Sequence, residues 1–172
     1  MNIELIKEKV RLVKLSHEGK SIVEIFKDLN FIIAPLQYDY IYINRTKGCN
    51  IKSDKLKAVL YNPNLHEKEL KEVLVHELGH VYLHPNINTF KIHEIDPIWV
   101  KDLELEADTF ASEFLLDDDV FEKYINLDFK GISGELEVST NLVELKYSNL
   151  SDKKKKELKE LYMENYSVLY SI

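Results

Sequence analysis

The chain has 172 residues, of which 45% are hydrophobic and 31% charged, enough apolar material for one core but cramped for two independent domains. A formal net charge of -7 speaks against a surface built to hold a phosphate backbone, which needs clustered Lys and Arg, so direct nucleic-acid binding is not expected. The single cysteine, Cys49, excludes an internal disulfide and any paired-cysteine metal or redox site. An N-terminus with charges in every turn, and the lack of any apolar run near the roughly 18 residues of a membrane span, point to a cytoplasmic protein with no membrane partner.

From Ile3 to Leu15, Ile3, Ile6, Val10 and Val13 recur at helical spacing, with Leu5 and Leu12 one position off, which predicts an amphipathic helix. A break at His17 to Lys20 contains Gly19. Ser21 with Glu24 three residues on is a capping-box pattern opening a second helix to about Leu29. The texture then turns β-branched and aromatic at Phe31 to Ile33 and Tyr40 to Ile43, and after a polar stretch containing Gly48 again at Lys57 to Tyr61, so a small twisted sheet is predicted.

His66 to Leu83 carries a long helical pattern in Leu70, Val73, Leu74, Leu78 and Val81, stopped by Pro85. His93 to Pro97 reads as loop and Ile98 to Leu116 as a helix rich in Leu, Ala and Phe. The tail is less legible, with a short helix expected at Asp118 to Tyr124 and another at Lys153 to Leu169, where Lys153 to Lys156 form a solvated start. The expectation is one α+β domain over residues 1–172, mostly helical, with its small sheet packed beside the helix of 66–83. Its core covers about 31–125, flanked by N-terminal helices 1–30 and a helical C-terminal extension 126–172.

That long helix contains the stretch VLVHELGHVYLHP, Val73 to Pro85. Residues four apart on a helix lie one above the other, so His76 and His80 aim their imidazoles at one place, the spacing at which two nitrogens share a zinc ion. Glu77 falls about 100° around from His76, beside such an ion rather than on it. This is the HExxH arrangement, in which zinc acidifies a water and the glutamate takes its proton as general base. An apolar helix would not bury two imidazoles and a carboxylate without partners, and Gly79 in its middle sacrifices about 1 kcal/mol of helix propensity, which suggests close packing there.

Two histidines need a third protein ligand. His84 lies about 80° around from His76 and a turn beyond His80, and the longer HExxHxxGxxH pattern is broken by Leu83 and Asn86. His84 is therefore read as a packing or supporting neighbour. The acids of Glu104-Leu105-Glu106-Ala107-Asp108 are the better source, and Glu104 and Glu106 compete. Glu104 shares a helix face with Ala107, Asp108 and Ala111, two of them small enough to allow a close approach. Glu106 shares its face with Phe110 and Glu113, and solvated acids suit Glu106 and Glu113. The face favours Glu104 as third ligand and Asp108 as the carboxylate that receives the other ring N–H of a zinc-bound histidine.

HELGHVYLH followed by E-x-E-A-D-x-F-A-x-x-F-L-L resembles the ImmA/IrrE family of zinc metallopeptidases, closely over His76 to Leu116 and more loosely from Tyr40. The resemblance implies a zincin-like fold, one catalytic zinc ion and endopeptidase activity. It also implies a helix-turn-helix transcriptional repressor as protein substrate, one that controls a phage, mobile-element or stress-response regulon. In related gluzincin-type peptidases the first Glu of the ExxxD spacing binds zinc and the Asp orients a His, which implies the same for Glu104 and Asp108. The chain departs from the family's Met-Pro ending, reading F-L-L-D-D-D instead, which places Asp117 to Asp119 at that end. The competing expectation is a regulator with the same fold that sequesters a repressor or antitoxin without cutting it. An intact Glu77 disfavours that reading. For the oxyanion the tyrosines, His84 and His93 are candidates, and the sequence selects none.

Overall fold

The computed structural model describes residues 2–36 and 47–169, with side chains throughout except those of His93 and residues 164–169. The strand expected at Tyr40 to Ile43 lies outside the described residues. Helix α1 (Ile3–Ser16) buries Ile6, Val10 and Val13 and leaves Leu5 and Leu12 outside, so only the first set forms its inner stripe. After Gly19, at φ 75°, helix α2 (Ile22–Asp28) opens on the expected capping box. The Ser21 side chain accepts from the Glu24 N–H, and Glu24 reaches back to the Ser21 N–H.

Among the described residues the sheet has three strands: β1 (Ile32–Pro35), β2 (Gly48–Lys52) and β3 (Lys57–Tyr61), in the order β1-β3-β2. β1 runs parallel to β3 with Ile33 opposite Val59, and β2 runs antiparallel to it with Asn50 opposite Val59. Pro35 is tolerated because β1 is an outer strand of the described sheet. β2 is the strand the sequence did not disclose. It lies on α3 (Glu67–Leu83), where a side chain at Gly48 would collide with Val73, and its Cβ would also sit tightly, 3.3 Å, from the carbonyl of Leu60 on β3.

Helix α3 packs mainly on α4 (Pro97–Leu115). Between them lies a short 3-10 helix (Thr89–Glu94), which shortens the loop expected up to Pro97. Asp96 caps α4, accepting from the N–H of Ile98, and Pro97 occupies the first helical turn. Among the described residues four helices follow: α5 (Val120–Lys123), α6 (Phe129–Glu135), α7 (Thr140–Ser148) and α8 (Asp152–Leu169). One buried cluster runs from Ile6 on α1 through Leu78 and Phe110 to Leu158 on α8, so both terminal segments share the core of the middle.

A polar knot sits in that core. Lys146 on α7, 1% exposed, donates to Glu113 Oε2 at 2.6 Å and to Asp118 Oδ1 at 2.9 Å. Glu113 is thus buried rather than solvated as its helix position suggested, because a lysine from a distant helix neutralises it. The same lysine draws Asp118, one of the acids after Leu116, against α7. Among the described residues no helix is long and apolar enough to cross a membrane.

Candidate metal centre

The face of α3 toward α4 carries His76 and His80, and the two rings meet at their Nε2 atoms, 3.1 Å apart. Glu104 on α4 faces both, with Oε2 3.3 Å from His76 Nε2 and Oε1 3.3 Å from His80 Nε2. Donors 2.0–2.1 Å from a tetrahedral zinc ion lie roughly 3.3 Å from one another, which is close to the spacing of the two Nε2 atoms and of each histidine from its nearer Glu104 oxygen. Each of the three residues offers one ligand atom, all within 4.8 Å of one another. Two imidazoles and a carboxylate are an ordinary donor set for catalytic zinc.

The approach of the two helices depends on Gly79. A Cβ there would lie 3.1 Å from Phe110 Cβ and 3.2 Å from both Cα and O of Ala107. The small residue on α4 and the glycine on α3 together bring Glu104 within reach of the histidines.

The distal nitrogens are also engaged. His76 Nδ1 lies 2.8 Å from Asp108 Oδ1, the carboxylate singled out from the sequence. Burial works to lower the pKa of His76, but the hydrogen bonds to Asp108 and Glu104 outweigh it and push the value up to about 10. Burial would raise the Glu104 pKa, but hydrogen bonds from His76 and then His80 hold its carboxyl well below the usual carboxylate range. His80 is fully buried, and its Nδ1 lies 3.0 Å from Nδ1 of His84, whose Nε2 is 3.0 Å from Glu106 Oε2. Glu106 is thus not the solvated acid that its face suggested, because His84 leaves the helix axis and reaches it. His84 is the residue that ends α3, at φ -124° and ψ 59°, so its ring departs from the position a continuing helix would give it. Burial lowers its pKa, against the opposing effect of Glu106.

Glu77, 3% exposed, meets β2 and the 3-10 helix. Asn50 Nδ2 donates to its Oε2 at 2.8 Å, and the Thr89 hydroxyl donates to the same oxygen at 3.1 Å. Thr89 Oγ1 also accepts from the backbone N–H of Asn50 at 2.6 Å, tying the two supports together. Among the described residues no hydrogen bond reaches the other oxygen, Oε1. Neither Asn50 nor Thr89 was read from the sequence; a lone buried amide in a strand is the one signal that could have pointed to a buried partner. Beside them Lys52, its pKa lowered to about 8 by burial, donates to the carbonyls of His80 at 3.1 Å and His84 at 2.9 Å. Cys49 is buried, with burial and the nearby Glu77 pushing its thiol up to about 12, so it is not a nucleophile.

Of the oxyanion candidates, His84 is committed to His80 and Glu106, and the Tyr82 hydroxyl lies 3.0 Å from His17 Nε2. Tyr38, Tyr40, Tyr42 and the side chain of His93 lie outside the described residues.

The profile of the IrrE N-terminal-like domain, a peptidase family, matches residues 37–148, which takes in both helices of the centre and all of β2 and β3. The uncharacterized immunity region protein 2 of Bacillus phage phi105 is 40% identical over 98 residues, covering 52% of this chain and 62% of the relative. The metallopeptidase ImmA of Bacillus subtilis (strain 168) is 33% identical over 118 residues, covering 66% of this chain and 64% of the relative. The matched segments thus span less than two thirds of either relative's length.

Proposed function

Because the chain belongs to the ImmA/IrrE family of metallopeptidases, we propose that it is a zinc-dependent endopeptidase that cleaves a helix-turn-helix transcriptional repressor controlling a phage, mobile-element or stress-response regulon. The observation that carries the reading is the convergence of His76, His80 and Glu104 on one point, with the buried carboxylate of Glu77 on the same helix. The family setting supports the target class: one relative is named for a phage immunity region.

His76 Nε2, His80 Nε2 and Glu104 would hold the ion. Bound zinc supplies Lewis acidity, which acidifies a water and polarises the scissile carbonyl. Asp108 keeps the His76 proton on Nδ1, so that Nε2 presents its lone pair. Asn50 and Thr89 occupy Oε2 of Glu77, leaving Oε1 as the atom that takes the proton of the attacking water and passes it to the leaving amine. β2 is an outer strand of the described sheet and lies beside this carboxylate. An extended substrate segment laid along it would bring its backbone to the base.

The test is co-expression of the full chain with the helix-turn-helix repressor encoded nearest to it, comparing wild type with Glu77→Gln. The wild type should yield repressor fragments on an immunoblot. The variant should yield none, while retaining equal zinc, because removal of a general base costs on the order of 10²–10⁴-fold in rate. Derepression that survives in the variant, with the repressor intact, would show sequestration instead and overturn the peptidase reading.

A further inference from the structure

The two histidines of the centre are supported in different ways. Asp108 meets Nδ1 of His76 directly, whereas Nδ1 of His80 meets a third imidazole, His84, which in turn meets Glu106. We propose that His84 and Glu106 are positioning residues that fix the ring and the tautomer of His80 for metal binding, a reading that rests on the zinc site proposed above.

The protons decide the direction of this chain. For His80 Nε2 to offer a lone pair to zinc, the single proton of the neutral imidazole must sit on Nδ1. That N–H points at His84 Nδ1, 3.0 Å away, which must then be bare, so the His84 proton sits on Nε2. There it meets Glu106 Oε2 at 3.0 Å, a carboxylate that accepts. The opposite direction fails at both ends. If His84 donated from Nδ1, His80 would carry its proton on Nε2, aimed into the metal site. A neutral His84 would then present a bare Nε2 to a carboxylate oxygen, two acceptors 3.0 Å apart. Glu106 therefore selects the tautomer pair that leaves His80 ready for a metal.

The backbone holds the relay in register. His84 is 7% exposed and closes α3 with a non-helical conformation that swings its ring under His80, the ring centroids being 5.1 Å apart. Lys52 on β2 donates to the carbonyls of both residues, pinning this last turn. A leucine at 84 would strip the acceptor from a fully buried N–H of His80.

The experiment uses the purified full chain and Zn²⁺ alone, with the dissociation constant read by competition against a chromophoric chelator. His84→Leu should weaken zinc on the order of 10–100-fold, the usual effect of removing a partner that orients a metal-bound histidine. Glu106→Leu should weaken it in the same direction. The double variant should be no weaker than His84→Leu alone, as expected of residues acting in series. His84→Asn, whose Oδ1 takes the place of Nδ1 as acceptor, should recover most of the loss, and Co²⁺ absorption should keep one band pattern throughout. The melting temperature of the zinc-free variants separates a fold defect from a metal defect. If His84→Leu does not fold, His84→Asn and Glu106→Leu carry the comparison.

The relay is overturned if zinc affinity is unchanged in the folded His84 and Glu106 variants. It is equally overturned if their effects add, or if the Co²⁺ spectrum shows a lost nitrogen donor, which would make His84 a ligand. Wild-type protein that does not bind zinc would instead sink the metal site itself.

Discussion

Replacing Gly79 by alanine sets two effects of opposite sign against each other. Helix propensity favours the change by about 0.8–1.0 kcal/mol, since α3 is regular there. Packing opposes it. The new methyl would sit 3.1 Å from Phe110 Cβ and 3.2 Å from Ala107 Cα and O, against the roughly 3.5–4.0 Å at which carbon atoms rest. None of the three atoms can be moved by turning a side chain, because all belong to the backbone or first carbon of α4. Relief requires the helices to part by a few tenths of an ångström, and over-packing of this kind costs about 1–3 kcal/mol. Packing therefore outweighs propensity, and Gly79→Ala should unfold in urea with a net loss of about 1 kcal/mol. Glu104 lies one helical turn before Ala107, so the same displacement should weaken zinc several-fold by chelator competition. A variant as stable as wild type, with unchanged zinc affinity, would refute the idea that this contact sets the distance of the third ligand.

Two other outcomes follow from the site. Thr89→Val keeps the side-chain shape but removes a donor to Glu77 and the acceptor of the buried Asn50 N–H. Turnover of the co-expressed repressor should fall with zinc content unchanged, stability should drop by about 1–3 kcal/mol for the unpaired N–H, and Thr89→Ser should restore both. In the zinc-free protein His76 holds its proton up to about 10. Zinc binding between pH 7 and 9 should therefore release about one proton from this residue, measurable by calorimetry in buffers of different ionisation enthalpy. Because the folded value lies above the ordinary 6.5, this histidine stabilises the zinc-free fold fully below pH 6.5, and the contribution fades as pH rises toward 10. The zinc-free melting temperature should fall over that window, less so in Asp108→Asn.

What could be read from the sequence, and what could not, divides by the range of the interaction. The capping box of α2, the stop of α3 before Pro85 and the small face of α4 are local signals, and each reads correctly from neighbouring residues. The strand β2 was hidden because Gly48 and Asn50 are poor strand formers. Both are there for tertiary reasons, Gly48 to let β2 lie on α3 and Asn50 to donate to Glu77. Glu113 and Glu106 looked like solvated acids on one helix face, since nothing near them in the chain shows that Lys146 and His84 will reach them. His84 was displaced from its helical-wheel position by the φ/ψ change at the end of α3. The short helices α6 and α7 carry too few turns for a period to emerge, and they form because Ile132, Leu142 and Val143 join the common core.

The centre is built on two faces of one helix. Gly79 admits α4 on the side of His76 and His80, which sets the metal ligands. On the face of Val73 and Glu77, Gly48 admits β2, which with Thr89 sets the base. The two packings share α3, and the 3-10 helix touches both β2 and α4, but the candidate metal ligands lie on α3 and α4, whereas the hydrogen bonds to Glu77 come from β2 and the 3-10 helix. A disturbance of the α4 contact should therefore be felt as lost zinc, and a disturbance of β2 or of the 3-10 helix as lost turnover with zinc in place. Lys52 also crosses between them, since it leaves β2 to hold the carbonyls of His80 and His84 at the end of α3. Its position makes it the point where strain on the β2 side would pass to the buried histidine, and so to the metal.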